Sequence, residues 1–308
     1  MAKYRILSCD GGGIRGVLTA RLLERIVAER PNLVPNTKLF AGTSAGSFVA
    51  VGLAMGKTPT QVVQLFQQEG KVIFDRSLWH DIGDLWGVAS AHYSTQARLK
   101  GLATIFGSTL TLDDLLPNKV LIATFELDSH NPIAPAPDPR SWKAKFFHNY
   151  PGPDSDGAQK VIDVVMRSSA APVYFPIFQG FVDGGVVANN PSMCALAQAI
   201  NADTGKQQLN EIALLSIGTG AKPSFITSQN GDWGLAHWGI SLLDLIFDSG
   251  SGLADYECQQ LIGDRYIRCQ PDLPESIGLD AVDKIDVLLQ VADRFALDPV
   301  LAWIDNNW

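Results

Sequence analysis

Gly42-Thr43-Ser44-Ala45-Gly46 is the stretch that most restricts how this 308-residue chain can fold. It reads G-x-S-x-G, follows the short apolar run Leu39 to Ala41, and precedes the apolar run Phe48 to Met55. A strand that turns sharply into a helix there pushes Ser44 out on a strained corner, with its hydroxyl at the end of the sheet. Glycine at 42 and 46 removes side chains that would collide inside so tight a turn. The helix that follows points its unpaired N–H groups and positive dipole end at the corner, where negative charge is best tolerated. Ser44 is therefore a candidate nucleophile. The same letters also arise in plain Gly/Ser-rich loops, so the reading rests on the flanking strand and helix.

Upstream, Tyr4 to Cys9 predicts a strand, and Asp10-Gly11-Gly12-Gly13-Ile14-Arg15-Gly16 breaks it. A helix to about Arg30 follows, with Leu18, Leu22, Leu23, Ile26 and Val27 on one face. Gly11, Gly13 and Gly16 satisfy the dinucleotide pattern G-x-G-x-x-G, which leaves a nucleotide-binding module open as one reading. That fingerprint also needs an acid at the end of the next strand to hold a ribose. Here that strand ends in Ala41-Gly42-Thr43-Ser44. The other reading makes the loop a source of backbone N–H donors for an oxyanion, because adjacent glycines let the backbone approach a reacting carbonyl.

The second informative stretch is Phe181-Val182-Asp183-Gly184-Gly185. Asp183 is expected at the end of an apolar strand spanning broadly Ile177 to Val182. In a parallel sheet that is the same edge where Ser44 emerges, so Asp183 is a candidate base. A carboxylate that caps its own Gly-Gly turn accounts for it as well. Chain order in ordinary α/β-hydrolases puts a histidine after the acid, and His237 fills that slot. A Ser44–Asp183–His237 triad is thus a rival within the same reaction class.

Further strands are expected at Val120 to Phe125, Lys145 to Asn149, Ile212 to Ile217 and Arg265 to Cys269. Helices are expected from Thr58-Pro59 to Gly70, over 95–106, 160–169 and 233–247, and near 281–293 and 298–305. Phe74, Trp79, Trp86 and Tyr93 mark either a cap over a site or a loop packed on the core. Residues 131–139, rich in proline, read as a surface loop. Strands alternating with helices throughout define an α/β layered fold in one domain, residues 1–308. A net charge of −8 argues against nucleic acid and against adhesion to anionic lipid surfaces. No apolar run reaches the roughly 18 residues a membrane span needs, and the chain is read as cytoplasmic with peripheral contact at membranes. The four cysteines lie far apart and the five histidines form no paired motif, so neither metal nor cofactor is expected.

Four motifs occur in one order: DGGGIRG at 10–16, GTSAG at 42–46, RSSAAPVYFP at 167–176 and DGG at 183–185. Together they resemble the patatin-like phospholipase family over roughly residues 4–220, while 221–308 form an extension of the same fold. The resemblance implies a three-layer sandwich with a mainly parallel central sheet. It also implies a calcium-independent lipid acyl hydrolase with a Ser–Asp dyad, acting on phospholipid or lysophospholipid at a membrane surface. By position it makes Ser44 the nucleophile and Asp183 the base, with Gly42 and Gly46 framing the elbow and Gly184 and Gly185 the turn at the base. Gly11, Gly12 and Gly13, helped by Arg15, would hold the oxyanion.

Overall fold

The computed structural model describes residues 3–74, 88–130, 140–222 and 235–308, with the side chains of 88–94, 235–237 and 239–241 outside it. Seven strands make one sheet: β1 Tyr4–Cys9, β2 Leu39–Thr43, β3 Lys119–Glu126, β4 Lys143–His148, β5 Phe181–Asp183, β6 Ile212–Ile217 and β7 Tyr266–Cys269. Their order is β4-β3-β2-β1-β6-β7, with β5 also paired to β3. β3, β2, β1, β6 and β7 run parallel, and β4 is antiparallel to β3. β1 and β6 are near-continuous apolar runs, as strands covered on both faces must be.

The helices are α1 Gly16–Glu29, α2 Leu33–Asn36, α3 Ala45–Ala54, α4 Pro59–Phe74, α5 Val88–Phe106, α6 Val161–Ser168, α7 Gly185–Ala188, α8 Ser192–Ile200, α9 Leu235–Ile262, α10 Ile285–Arg294 and α11 Asp298–Asn307. Alternate strand residues serve opposite layers, as the pleat requires. Leu7, Cys9, Phe40, Ile122, Leu215 and Ile217 pack under α1, α3, α4 and α6, with Leu288 and Ile304 from the C-terminal helices. Ile6, Leu39, Ala41, Leu121 and Leu214 face the other way, towards α8 and the C-terminal half of α9. The result is a three-layer α/β sandwich. Every residue of α3 is buried, so the helix that follows Ser44 sits rigidly between sheet and outer helices.

Sequence-based boundaries hold for β1 and β6 and shift by a few residues in most other elements, but α9 runs fifteen residues past the expected end at 247, to Ile262. α4 runs on past Gly70 to Phe74, and Phe74 is buried in the core. α5 begins earlier than expected, at Val88. Trp79, Trp86 and loop 131–139 lie outside the described residues. The larger correction concerns Asp183. Its strand is three residues long and antiparallel to β3. Gln179 and Gly180 both have positive φ, 52° and 83°, and fold Phe178 back onto Phe181 in a tight hairpin. A turn therefore occupies the place where a strand over 177–182 was expected.

The register shows what that turn achieves. β4 pairs with Leu121 to Glu126 along one edge of β3. The opposite edge is shared: β2 pairs with Lys119 to Ala123 and β5 with Thr124 to Glu126. Thr43 sits opposite Ala123 and Asp183 opposite Thr124. β2 and β5 thus meet end to end, and Ser44 leaves the sheet where Asp183 arrives.

Gly46 carries the closest approach in this arrangement. A Cβ there would lie 2.2 Å from the Cys9 carbonyl oxygen and 2.6 Å from that of Asp10. Gly46→Ala is expected to lower the unfolding free energy by about 2–3 kcal/mol, because backbone cannot yield as a flexible side chain can. In Gly250→Ala the added methyl meets nothing within 4 Å inside α9. It should raise stability by up to about 1 kcal/mol through helix propensity. Urea midpoints of the two variants check the pair, and equal midpoints would refute the packing argument.

Candidate active site

Ser44 stands at φ 52°, ψ −124°, a strained conformation for a residue with a side chain. Its surroundings hold it there. The Ser44 N–H donates to Ser168 Oγ at 2.8 Å, and Ser168 Oγ donates onward to the Ala123 carbonyl at 2.7 Å. Ser47 Oγ donates to the Ser44 carbonyl at 2.5 Å, and Thr43 Oγ1 to the Ala188 carbonyl at 2.7 Å. Ser44 is 7% exposed, so its hydroxyl is largely shielded from bulk water.

Asp183 is 1% exposed. Its N–H donates to the Ala170 carbonyl at 3.0 Å, and the Gly184 N–H to the Ser168 carbonyl at 3.1 Å. The segment Ser168 to Ala170 therefore braces nucleophile and base together. Gly184 closes on the Ala123 carbonyl, 2.1 Å from where a Cβ would stand. Asp183 Oδ1 accepts the Gly185 N–H at 2.7 Å, whereas Oδ2 is buried with no partner that meets hydrogen-bond geometry. The Ser44 hydroxyl is the neighbouring side chain that favours the charged carboxylate. The Ser44 hydroxyl and the Asp183 carboxylate are neighbours without a completed hydrogen bond, as catalytic pairs often are before substrate is seated. Burial pushes the Asp183 carboxyl up to about 6, against the opposing pull of the Gly185 N–H, Ser44 and Arg98.

The glycine loop lies beside this pair, with the Cβ position of Gly11 3.3 Å from Ser44 Cβ. Its three amides are not equivalent. The Gly11 N–H donates to the Asn189 carbonyl at 3.0 Å. The N–H groups of Gly12 and Gly13 donate to no other described residue. Ile14 N–H donates to the Leu279 carbonyl at 2.8 Å, and Thr219 Oγ1 to the Gly11 carbonyl at 3.0 Å. Asp10, just before the loop, is gripped by Arg268, whose Nη2 lies 2.6 Å from Oδ2 and whose Nη1 lies 3.3 Å from Oδ1. Arg268 Nη1 also donates to Ser216 Oγ at 2.8 Å. Residues from β6 onward thus fix a loop near the N-terminus.

Arg15 bends back so that Nε donates to the Gly12 carbonyl at 3.4 Å. It lines a cavity of about 80 Å³ with Tyr174, Lys222, Asp244, Phe247 and Asp248. Burial lowers its pKa against the attraction of Asp248 and Asp244 on α9. Phe247 closes on Gly185, its ring 2.9 Å from the Cβ position there, so the cavity adjoins the turn at the base. His237 falls within α9, but its side chain lies outside the described residues. Sequence reasoning missed Ser168, Asn189, Thr219, Arg98 and Arg268. Ser168 lies inside a motif that was recognised, and the others carry no local signal.

Residues 7–196 match the sequence profile of the Patatin-like phospholipase family. CotR of Bacillus subtilis (strain 168) is 32% identical over 334 residues, which cover 100% of this chain and 99% of that protein. A cGAMP-activated phospholipase of Pseudomonas aeruginosa is 30% identical, over 92% of this chain and 84% of its own. Among solved structures, VipD of Legionella pneumophila matches with a TM-score of 0.44 at 16% identity, covering 94% of this chain and 67% of VipD. The chain belongs to the patatin-like phospholipase family, a family of lipid hydrolases.

The Asp10–Arg268 pair supplies a test of how the loop is held. Arg268→Met leaves the Asp10 carboxylate buried without its partner and is expected to cost about 3–5 kcal/mol in urea unfolding at neutral pH. Asp10→Asn combined with Arg268→Met should recover part of that loss. A single variant as stable as the parent would show that the pair does not anchor the loop.

Proposed function

We propose that this chain is a calcium-independent, phospholipase A-type acyl hydrolase for phospholipids or lysophospholipids, with Ser44 as nucleophile and Asp183 as base. One observation carries the reading. A buried carboxylate with one oxygen left without a hydrogen bond neighbours the hydroxyl of a serine held in a strained backbone conformation. A structural Asx-turn accounts for Oδ1 and its bond to Gly185, but leaves Oδ2 unexplained. Family membership and a phospholipase relative support the substrate class.

The chemistry follows from that arrangement. A serine hydroxyl is a poor nucleophile at neutral pH until a base within reach takes its proton. Asp183 Oδ2 accepts that proton as Ser44 Oγ bonds to the ester carbonyl carbon. The carbonyl electron pair moves to oxygen, and the oxyanion is met by the free N–H groups of Gly12 and Gly13. Each donor of this kind is worth about 3–4 kcal/mol of transition-state stabilisation. The carbon–oxygen bond to the alcohol then breaks and Asp183 returns the proton to the departing oxygen. Water repeats the sequence on the acyl-serine, with Asp183 again as base, and releases the fatty acid. Gly11 is left out of the donor set because its N–H is committed to Asn189. Arg15 acts by holding the Gly12 carbonyl, which orients the Gly12–Gly13 peptide.

Four results check the reading. A fluorophosphonate adduct should map to Ser44 and be lost in Ser44→Ala, and Asp183→Asn should lower kcat on a phospholipid by at least about 10³-fold. The base must be unprotonated to act. With its carboxyl pushed up to about 6, kcat/KM should be flat near neutral pH and fall about tenfold per unit well below pH 6. His237→Ala should leave most activity in place. Saturable nucleotide binding without ester hydrolysis would instead favour a nucleotide-binding module.

A further inference from the structure

Arg98 is a fully buried cation that none of the steps above employs. It projects from α5 at 1% exposure, a burial that charged side chains reach only when something compensates the lost hydration. Its Nη2 donates to the Ser169 carbonyl at 3.0 Å and to Ser169 Oγ at 2.9 Å. Its guanidinium carbon stands 3.9 Å from the centre of the Phe175 ring, a stacked cation–π arrangement. Nε is buried without a partner among the described residues. Among the described residues, two neutral acceptor atoms and a ring face are thin compensation for a buried charge. An apolar side chain of similar volume would fill the space without the desolvation penalty.

The groups held by Arg98 lead to the base. Ser169 lies between Ser168, whose Oγ fixes the Ser44 N–H, and Ala170, whose carbonyl fixes the Asp183 N–H. The charge also reaches that site directly, because Asp183 is the carboxylate whose field acts on Arg98, and Arg98 the cation whose field acts on Asp183. The other charged groups around these elements have different partners. Arg167 on α6 points away to Gln159 and Gln179 and feels Asp163, Asp156 and Glu126. Glu126 at the far end of β3 faces Lys143, while Asp244 and Asp248 of α9 act on Arg15. Among the described residues, Arg98 is the cation that acts on Asp183.

We propose that Arg98 is the positioning residue of the base: it fixes the Ser169–Ala170 segment that seats Asp183 and supplies the buried positive charge facing its carboxylate. The inference rests on the reading of Ser44 and Asp183 as nucleophile and base. The dry site that shields the acyl-serine also raises the cost of an ionised carboxylate, and a permanent cation offsets that cost without solvent. Guanidinium suits the task because it stays charged when buried and has planar donors for Ser169.

The test uses the full chain with Arg98→Gln and Arg98→Lys, assayed across the acid limb on a soluble acyl ester. Arg98→Gln keeps a donor towards Ser169 but removes the charge. Its acid limb in kcat/KM should move up by about one pH unit. At pH 6 that lowers kcat/KM about fivefold through kcat, with KM little changed. Arg98→Lys should return the limb to the wild-type position, since charge is restored while the planar fork is not. The pH dependence of the fluorophosphonate labelling rate at Ser44 should shift in parallel, and because it reports folded molecules alone it remains readable if Arg98→Gln is partly unfolded. Should Arg98→Gln not fold at all, the limb of Arg98→Lys decides by itself: unmoved supports the proposal, and displaced upward overturns it. Loss of activity by one factor at every pH, with the limb unmoved in Arg98→Gln, would reduce Arg98 to a packing residue and overturn the proposal. Wild-type protein that is never labelled at Ser44 would instead sink the dyad on which it rests.

Discussion

The structure turns on one edge of one strand. β3 pairs along that edge with β2 up to Ala123 and with β5 from Thr124 onward, and the two partners run in opposite directions. A ladder has no gap between adjacent positions, so the last residue of β2 and the last residue of β5 are forced together. The residues that follow each strand, Ser44 and Gly184, are then pressed into turns with little room. The same edge decides both backbone geometries. Ser44 takes a positive φ because the chain must enter α3 at once, and Gly184 packs onto the Ala123 carbonyl because Asp183 ends beside it. Ser168 locks the junction by donating to Ala123 while accepting from Ser44.

Meeting there has an electrostatic consequence. A carboxylate brought to the middle of an α/β sandwich loses hydration, and its pKa rises towards the working range of a base. Left unopposed, burial would keep Asp183 protonated and unable to accept a proton. The Gly185 N–H, the Ser44 hydroxyl and the field of Arg98 oppose it. Under the proposed mechanism, burial is the larger influence and these groups hold part of its effect back, which leaves the carboxyl able to ionise near neutral pH. The same dryness would strengthen the Gly12 and Gly13 amides as the proposed oxyanion donors, since a donor is worth more where water does not compete.

Much of this was legible in the sequence, for reasons that differ by residue. Ser44 was readable because its strand, corner and helix are contiguous, so the local pattern contains the geometry. Asp183 was also singled out, but through an argument the structure corrects. It was placed at the end of a parallel strand, whereas it ends an antiparallel one, and the approach to Ser44 comes from the edge shared along β3. Positive φ at Gln179, a residue that does not advertise it, hid the hairpin that makes this possible. The glycine loop was read as a source of donors, but the sequence did not show which amides lack a partner among the described residues, because Gly11 is satisfied by Asn189, 178 positions away. Arg98 left no trace for a related reason. Its partners Ser169 and Phe175 lie some seventy residues on, and an arginine in a helix reads as a solvated side chain until its burial is known.

The family profile ends at residue 196, yet the loop that would carry the oxyanion is held largely by what comes later. Thr219 follows β6, Arg268 belongs to β7, and Leu279 lies in the segment before α10. Each binds the glycine loop or the residue next to it, and a Cβ at Gly13 would stand 2.2 Å from the Leu279 carbonyl. An oxyanion site stabilises charge only if its donors are already in place when the charge appears, because moving them during the reaction would return the energy gained. Three glycines in a row cannot fix themselves, since they have the most backbone freedom to lose. The rigidity must be imposed from outside, and in this chain β6, β7 and the segment leading into α10 impose it. The part of the sequence beyond the family profile therefore holds the glycine loop in place, which is the preorganisation that the proposed oxyanion site would need.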